Sequence, residues 1–286
     1  TAVVRDAGAF AARHPHLAPA VALVAGDVRT AAVPRSATHV VHCASAASPA
    51  MNAERPDEVV DIIVAGTDHM LTAAEHAAAR GDGVRFLHLS SGSVYGPQPA
   101  TLERIPETFA GHADPASPAQ RFGAAKLAAE RRGAIATSRG VRFTVARGFA
   151  MIGPRLPLDG AFAIGNFIGD ALAGRPVEVR GDGTPVRSWL HAADVAAWCW
   201  TILACGAAGA VYNVGSDEAV TIGDAAARIA ARAVPPVPVR CLGQGAPGAP
   251  PSRYVPDVEC ARHALGLRVR IPLDDAIART MAWWRQ

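Results

Sequence analysis

Apolar residues in this chain fall into short runs that alternate with longer stretches of helical spacing. Phe86, Leu87 and Leu89 form one such run, cut off at Ser90, Ser91 and Gly92, and read as a buried strand with hydroxyls at its carboxyl end. Val21 to Val24, Thr38 to Ala46 and Arg142 to Phe149 read as further strands. Between them, Ala7 to Leu17, Glu58 to Ala79 and the Ala-rich, Gly-poor run Ala124 to Ala136 have helical character. Later in the chain, Gly169 to Ala173, Val195 to Leu203 and an amphipathic segment ending in Trp283 and Trp284 do too. Pro97 to Gln120 and the Pro/Gly-rich stretch Val234 to Ser252 read as loops. Strands separated by helices predict an α/β fold with a parallel sheet, whose ligands sit at the carboxyl ends of the strands.

Composition narrows the class. With 286 residues, 50% of them hydrophobic and 19% charged, the chain can bury one large core or a core and a smaller lobe. The net charge of +3 is spread out with no basic block, which points away from nucleic acid and membrane surfaces. No apolar run is long enough for a spanning helix. Cys43, Cys199, Cys205, Cys241 and Cys260 include no C-x-x-C pair and read as reduced, mostly buried thiols of a cytoplasmic protein. His39 and His42 alternate with apolar residues and have no acid or thiol at ligand spacing, so they read as strand histidines and no metal is expected.

The candidate chemistry lies at the end of the Phe86 strand and in the Ala124 helix. Ser91 at a strand end, Val94-Tyr95-Gly96-Pro97 just after it and Lys126 in the next helix resemble, in this order, the extended short-chain dehydrogenase/reductase family of nucleotide-sugar epimerases and dehydratases. The family has a tyrosine four residues before the lysine, on the same helix face. That position is Phe122 here, so the catalytic hydroxyl is missing and Tyr95 is the nearest substitute in sequence. Two further polar positions of the family pattern have become apolar, Ile63 and Ala150, and Gly92 and Ser93 stand where the dehydratases have an acidic pair.

Other motifs extend the resemblance over nearly the whole chain. Gly26-Asp27-Val28 resembles the adenine-holding step, and Thr38 to Ala46 resembles the small-residue strand that passes under the dinucleotide. The implied cofactor contacts are Asp27, Val28, Ala44, Ser45, Lys126 and Phe149, with NAD or NADP as the cofactor. Gly181 to Leu203 follows the family's G-D-G…R…H…D signature; Asp194 reads there as a helix cap and Arg187 as the grip on a substrate diphosphate. Asn166 and Arg253 are implied as further contacts to a nucleotide-sugar substrate, and Ser91 as a contact to its reacting hydroxyl. Glu103, Glu107 and His112 read as solvated loop residues.

The resemblance thus implies a doubly wound, Rossmann-type parallel sheet with a smaller C-terminal substrate-binding lobe. Residues 1–154 would bind the dinucleotide and 155–286 mainly the substrate, with strands around 186–192 and 210–214 returning to the first domain. No glycine-rich turn occurs near Thr1, so the first β-α unit is expected to be missing by truncation of a longer chain. The implied activity passes through a 4-keto hexose, with epimerase ranked above dehydratase and reductase. It would be impaired by Phe122, and the alternative is a non-catalytic binder of nucleotide sugar or dinucleotide. A homodimer is expected through the helix bearing Lys126, whose Ala124, Ala125, Ala128 and Ala129 offer a smooth face.

Overall fold

The computed structural model describes residues 1–45, 49–81, 83–160, 162–245 and 250–286, so Ala46 and residues 246–249 of the Pro/Gly-rich stretch lie outside the described residues. The elements in order begin β1 (Ala2–Val4), α1 (Ala7–Arg13), β2 (Leu23–Ala25), β3 (His39–His42), α2 (Pro49–Glu54), α3 (Pro56–Ala79), β4 (Arg85–Ser91), α4 (Arg121–Ser138) and β5 (Arg142–Gly148). They continue β6 (Met151–Ile152), α5 (Ala163–Leu172), β7 (Val177–Val179), β8 (Val186–Arg187), β9 (Leu190–His191), α6 (Ala192–Cys205), β10 (Val211–Val214) and β11 (Val220–Thr221). The last are α7 (Ile222–Ala230), β12 (Val239–Cys241), β13 (Arg253–Tyr254), α8 (Glu259–Leu265) and α9 (Leu273–Trp284).

The chain divides into two compact units. The first comprises residues 1–96, 112–146 and 202–211, and the second residues 97–111, 147–201 and 212–286. Residues 202–211 fall in the first unit and residues 186–192 in the second.

A four-stranded sheet has the order β10-β5-β4-β3, and β3 runs parallel to β4 with His42 opposite His88. β4 is buried along most of its length, as expected of a strand covered on both faces. Helix α3 buries Val59, Ile63, Gly66, Thr67, Met70, Leu71, Ala74 and Ala77, a stripe spaced at three and four residues. Helix α4 buries a similar stripe, but one that includes two charged residues, Lys126 and Glu130. Two glycines on that stripe set how close α4 can come. A Cβ at Gly133 would lie 2.0 Å from the Phe143 ring, and one at Gly123 would lie 2.2 Å from the carbonyl oxygen of Ser93.

β1 and β2 form their own parallel pair, with Ala2 opposite Leu23, and none of β1, α1 or β2 contains a buried residue. A cleft of about 670 Å³ is lined by residues 1–3 on one side and by 38–44 on the other. Val41 is consequently 40% exposed although it belongs to an apolar strand.

The second unit is held by a core of Phe167, Ile168, Trp189, Ile229, Ile277 and their neighbours. Asp194 departs from its expected helix-capping role: α6 already begins at Ala192, and the buried carboxylate accepts the backbone N–H groups of Arg270 and Ile271 at 3.0 and 2.9 Å. It fastens the segment leading into α9. Asp194→Ala would strand two backbone donors and is expected to lower stability by about 2 kcal/mol, read as a lower urea midpoint at unchanged slope. A second departure is β12, which lies inside the stretch expected to be loop and pairs in parallel with β7, Arg240 opposite Glu178. Its valine at residue 239 packs on the core, and that burial outweighs the surrounding proline and glycine.

The cysteine expectation is corrected. All five thiols are free, but Cys43, Cys205, Cys241 and Cys260 are exposed, because each sits at an element end or on an outward face. Among the described residues no helix is long and apolar enough to cross a membrane. Of the four alanines expected to form one smooth face, Ala125 and Ala129 are buried within the chain's own core. Ala124 and Ala128 line a shallow groove with Val60, Val64 and Arg121.

Candidate active site

The site is built where β4 ends. Ser91 closes the strand and caps the turn Gly92–Tyr95, its Oγ accepting the Ser93 N–H at 3.2 Å and the Ser93 hydroxyl at 2.9 Å. With both bonds accepted, the Ser91 hydroxyl keeps its own hydrogen to donate. Lys126 comes in from α4 and donates to the Leu89 carbonyl at 2.8 Å, two residues before Ser91 on the same strand. The fold therefore brings Ser91 and Lys126 to one end of β4, although they are far apart in sequence.

Lys126 is only 2% exposed. Burial pushes its pKa down to about 8, against the opposing pull of Cys43 and Glu130, which favours the ammonium form. Glu130, one turn further along α4, accepts the Ser90 hydroxyl at 2.5 Å and ties the helix to β4 a second time. Ser93 was expected only as standing where the dehydratases have an acid, and Glu130 was not expected at the site. The signals were there: a second hydroxyl two residues beyond Ser91, and an acid four residues beyond Lys126 on one helix face.

Phe122 lies one turn before Lys126, its ring centroid 5.9 Å from Nζ. The ring packs against an apolar cluster of Val59, Ile63, Ala125 and Ala129. Two of the positions where the family pattern is polar, Phe122 and Ile63, thus belong to one hydrophobic contact between α3 and α4. Tyr95 does not offer a ready substitute, because it is 2% exposed and enclosed in the turn after β4.

Beneath the site lies a pair of histidines. His42 shares a hydrogen bond with Thr67 at 3.0 Å and stacks on His88 with ring centroids 5.5 Å apart. Burial lowers the pKa of both rings, that of His42 to about 3, so both stay neutral. Neither ring nitrogen of His88 has a hydrogen-bond partner among the described residues. His39 is exposed, and its Nδ1 lies 3.0 Å from the Thr38 hydroxyl.

The expected cofactor contacts divide. Ala44 and Ser45 are half-exposed just past β3, and Ala44 lines the cleft. Asp27 is occupied: Arg29 donates to both carboxylate oxygens at 2.7 to 2.8 Å, and these bonds lower its pKa to about 2. Val28 faces inward, packed so closely on α3 that a Cβ at Gly66 would come within 2.7 Å of it. Phe149, in the second unit, is 5% exposed and packs its ring 4.6 Å from that of Tyr254. Lys126 retains two N–H donors beyond the one given to Leu89. With the small residues Ala44 and Ser45, it fits the nicotinamide-ribose end of a dinucleotide. The start of α1 does not suit a phosphate, because Asp6 caps it by accepting from Ala9 at 2.9 Å.

In the second unit, Arg187 is half-buried and donates only to backbone and hydroxyl oxygens, those of Val186 at 2.8 Å and Ser252 at 3.1 and 3.3 Å. It has no acidic partner among the described residues, and burial lowers its pKa from the usual guanidinium value. A cation left without a carboxylate is suited to an incoming phosphate. Arg253 does not reinforce it. The register of β13 on β8 puts Tyr254 opposite Arg187, while Arg253 sits opposite Val186 and reaches back to the Glu103 carbonyl at 3.4 Å. Asn166 is engaged locally, exchanging two hydrogen bonds of 3.0 Å with the backbone of Gly160. Glu107 is not the solvated loop residue expected. It accepts the Asn213 N–H at 2.7 Å, and burial together with Asp257 raises its pKa.

Comparison with known proteins places the chain among related sequences and folds. UDP-glucuronic acid decarboxylase 1 of Danio rerio is 27% identical over 246 residues, covering 86% of this chain but only 56% of its own length. The chain thus spans little more than half of that relative. Among solved structures, RMD from Pseudomonas aeruginosa complexed with NADPH superposes with a TM-score of 0.78 at 26% identity, covering 99% of this chain and 97% of that one. MoeE5 in complex with UDP-glucuronic acid and NAD gives a TM-score of 0.75 at 26% identity, covering 92% of this chain and 85% of the other. The NAD dependent epimerase/dehydratase family matches residues 2–215, which takes in β1 through β10 with Ser91, Lys126 and Arg187. With that match over most of its length and a parallel α/β fold around the Ser91–Lys126 pair, the chain belongs to the NAD dependent epimerase/dehydratase family.

Proposed function

We propose that the chain binds a nicotinamide dinucleotide and a nucleotide-activated sugar, and that it oxidises a ring hydroxyl of that sugar to a ketone slowly for want of a tyrosine at residue 122. The carrying observation is the convergence of Ser91 and Lys126 on the end of β4 with an aromatic ring, but no phenol, one turn before the lysine. A bound nicotinamide supplies the hydride acceptor. Ser91 then donates its free hydrogen to the reacting sugar oxygen and fixes its position. Lys126 holds the ribose hydroxyls with its two remaining N–H groups, and Arg187 grips the substrate diphosphate with charge-assisted bonds. UDP-sugars are the first substrates to try, given the names of the relatives; NAD and NADP are both candidates. A homodimer would use the groove lined by Ala124, Ala128, Val60 and Val64.

A second reading, that of a non-catalytic binder, is favoured by the apolar Phe122–Ile63 contact and the enclosure of Tyr95. The two separate on mixing the protein with dinucleotide and UDP-glucuronic acid or UDP-glucose. Formation of reduced nicotinamide or of a new sugar supports the enzyme; binding without either supports the binder. Under both readings Arg187→Ala is expected to weaken UDP-sugar binding about 100-fold, since two charge-assisted hydrogen bonds are lost. Unchanged affinity by calorimetry would remove the diphosphate role from Arg187 and, with it, the nucleotide-sugar reading of the second unit.

A further inference from the structure

Of the 28 basic side chains in the sequence, 27 are arginine, and Lys126 is the sole lysine. Ion pairs among the described residues mostly use a guanidinium, as in Arg29–Asp27, Arg132–Glu75 and Arg175–Asp170. A guanidinium cannot give up its proton near neutral pH, whereas an ammonium can when its surroundings are dry. The one place that carries an amine is also one of the most enclosed, at 2% exposure.

The surroundings of that amine are specific. From its own helix it meets the Phe122 ring and Glu130, whose carboxylate is engaged by Ser90. From β4 it meets the Leu89 carbonyl and His88, and from β3 His42 and, just beyond it, Cys43. On α3, Thr67 is bonded to His42. Both imidazoles are neutral, burial makes the Cys43 thiol a weaker acid, and among the described residues Cys43 and Glu130 are the acidic side chains that act on Lys126. Lys126 makes no ion pair among the described residues. Buried at the end of β4 beside these groups, the amine is one whose proton can leave and return around pH 8.

We propose that the neutral amine of Lys126 is itself the proton acceptor and donor for the substrate hydroxyl through its lone pair, while the one N–H not given to Leu89 keeps hold of the ribose. The proposal rests on the nucleotide-sugar reading above. In the oxidation step the hydroxyl proton passes to the Nζ lone pair, the C–O bond becomes C=O, and the hydrogen on that carbon leaves with its electron pair for the nicotinamide ring of the bound dinucleotide. In the reverse step the ammonium returns the proton to the oxygen. Oxidation then requires the deprotonated amine, so its rate rises with pH through the lysine midpoint and is flat above it.

The single lysine makes the test direct. Protein grown with ¹³C-labelled lysine gives one side-chain signal, whose titration midpoint is expected near pH 8; a midpoint of about 10 or higher, the ordinary lysine range, overturns the proposal. With dinucleotide and UDP-sugar present, the rate of nicotinamide reduction is expected to follow the same midpoint. Lys126→Arg keeps the charge and is expected to retain dinucleotide affinity within about threefold while lowering the rate at least about 100-fold. Lys126→Met serves if the arginine does not fit. A substituted protein that keeps more than a tenth of the rate overturns the acceptor role alone. A parent protein that binds both ligands but reduces no nicotinamide at any pH overturns it together with the oxidoreductase reading, and one that binds neither removes the nucleotide-sugar reading on which it rests.

Discussion

Phe122→Tyr is expected to raise the rate of nicotinamide reduction by about 10² to 10⁴, the usual contribution of a well-placed acid–base group. The position is favourable because residue 122 is one helical turn before Lys126 and its ring already lies 5.9 Å from Nζ. Only the ring edge gains an atom, and Phe122 is half-buried, so the apolar cluster of Val59, Ile63 and Ala129 keeps its contacts. The ammonium beside the new phenol favours phenolate and lowers its pKa, while burial raises it; the nearby charge is expected to win because Lys126 makes no ion pair among the described residues. The effect is reciprocal. A phenolate favours the charged lysine, so the Lys126 midpoint should move up from about 8 as the phenol takes over titration. An unchanged rate together with an unmoved lysine signal would mean that the residue 122 side chain does not face the reacting groups.

Gly123→Ala is expected to be the most damaging single methyl group in the first unit. Alanine favours a helix over glycine by about 1 kcal/mol, so the propensity term alone predicts stabilisation. Packing opposes it, because the new Cβ would stand 2.2 Å from the Ser93 carbonyl oxygen, 2.7 Å from its carbon and 3.0 Å from the Ala113 Cβ. Two of these are backbone atoms of the turn that Ser91 caps, and they cannot swing aside as a side chain would. Helix α4 must therefore move off the turn, at a net cost of about 3 kcal/mol in urea unfolding. The same displacement would lengthen the Lys126 bond to Leu89. Gly83→Ala is the control: nothing lies within 4 Å of its Cβ, and a change within about 0.5 kcal/mol is expected. Equal behaviour of the two variants would refute the close approach of α4 to the turn.

Much of the site was legible in the order of residues. A strand that ends in serines, followed by an Ala-rich helix with one lysine, is enough to place Ser91 and Lys126, because strand and helix periodicity are local properties. Arg187 was expected only through the family signature that Gly181 to Leu203 resembles. Partners could not be read this way. Asp27 keeps the same sequence whether it faces an adenine or the guanidinium two residues on, and only the folded chain shows that Arg29 takes both oxygens. Glu107 reads as a loop acid until Asn213, 106 residues later, is found against it. The pairing of Arg187 with Tyr254 rather than Arg253 is a matter of strand register, and a shift of one residue exchanges the two.

The sequence by itself determined the alternation of strands and helices, the Ser91–Lys126 spacing, the apolar residues at positions 63 and 122, and the choice of a lone lysine among arginines. Tertiary structure alone decided that residues 63 and 122 pack in one cluster, that Tyr95 is enclosed, and that the lysine is stripped of water. The physical reason is that periodicity is written in neighbours a few residues apart. Burial, and with it the energy of a charge, depends on segments that only folding brings together.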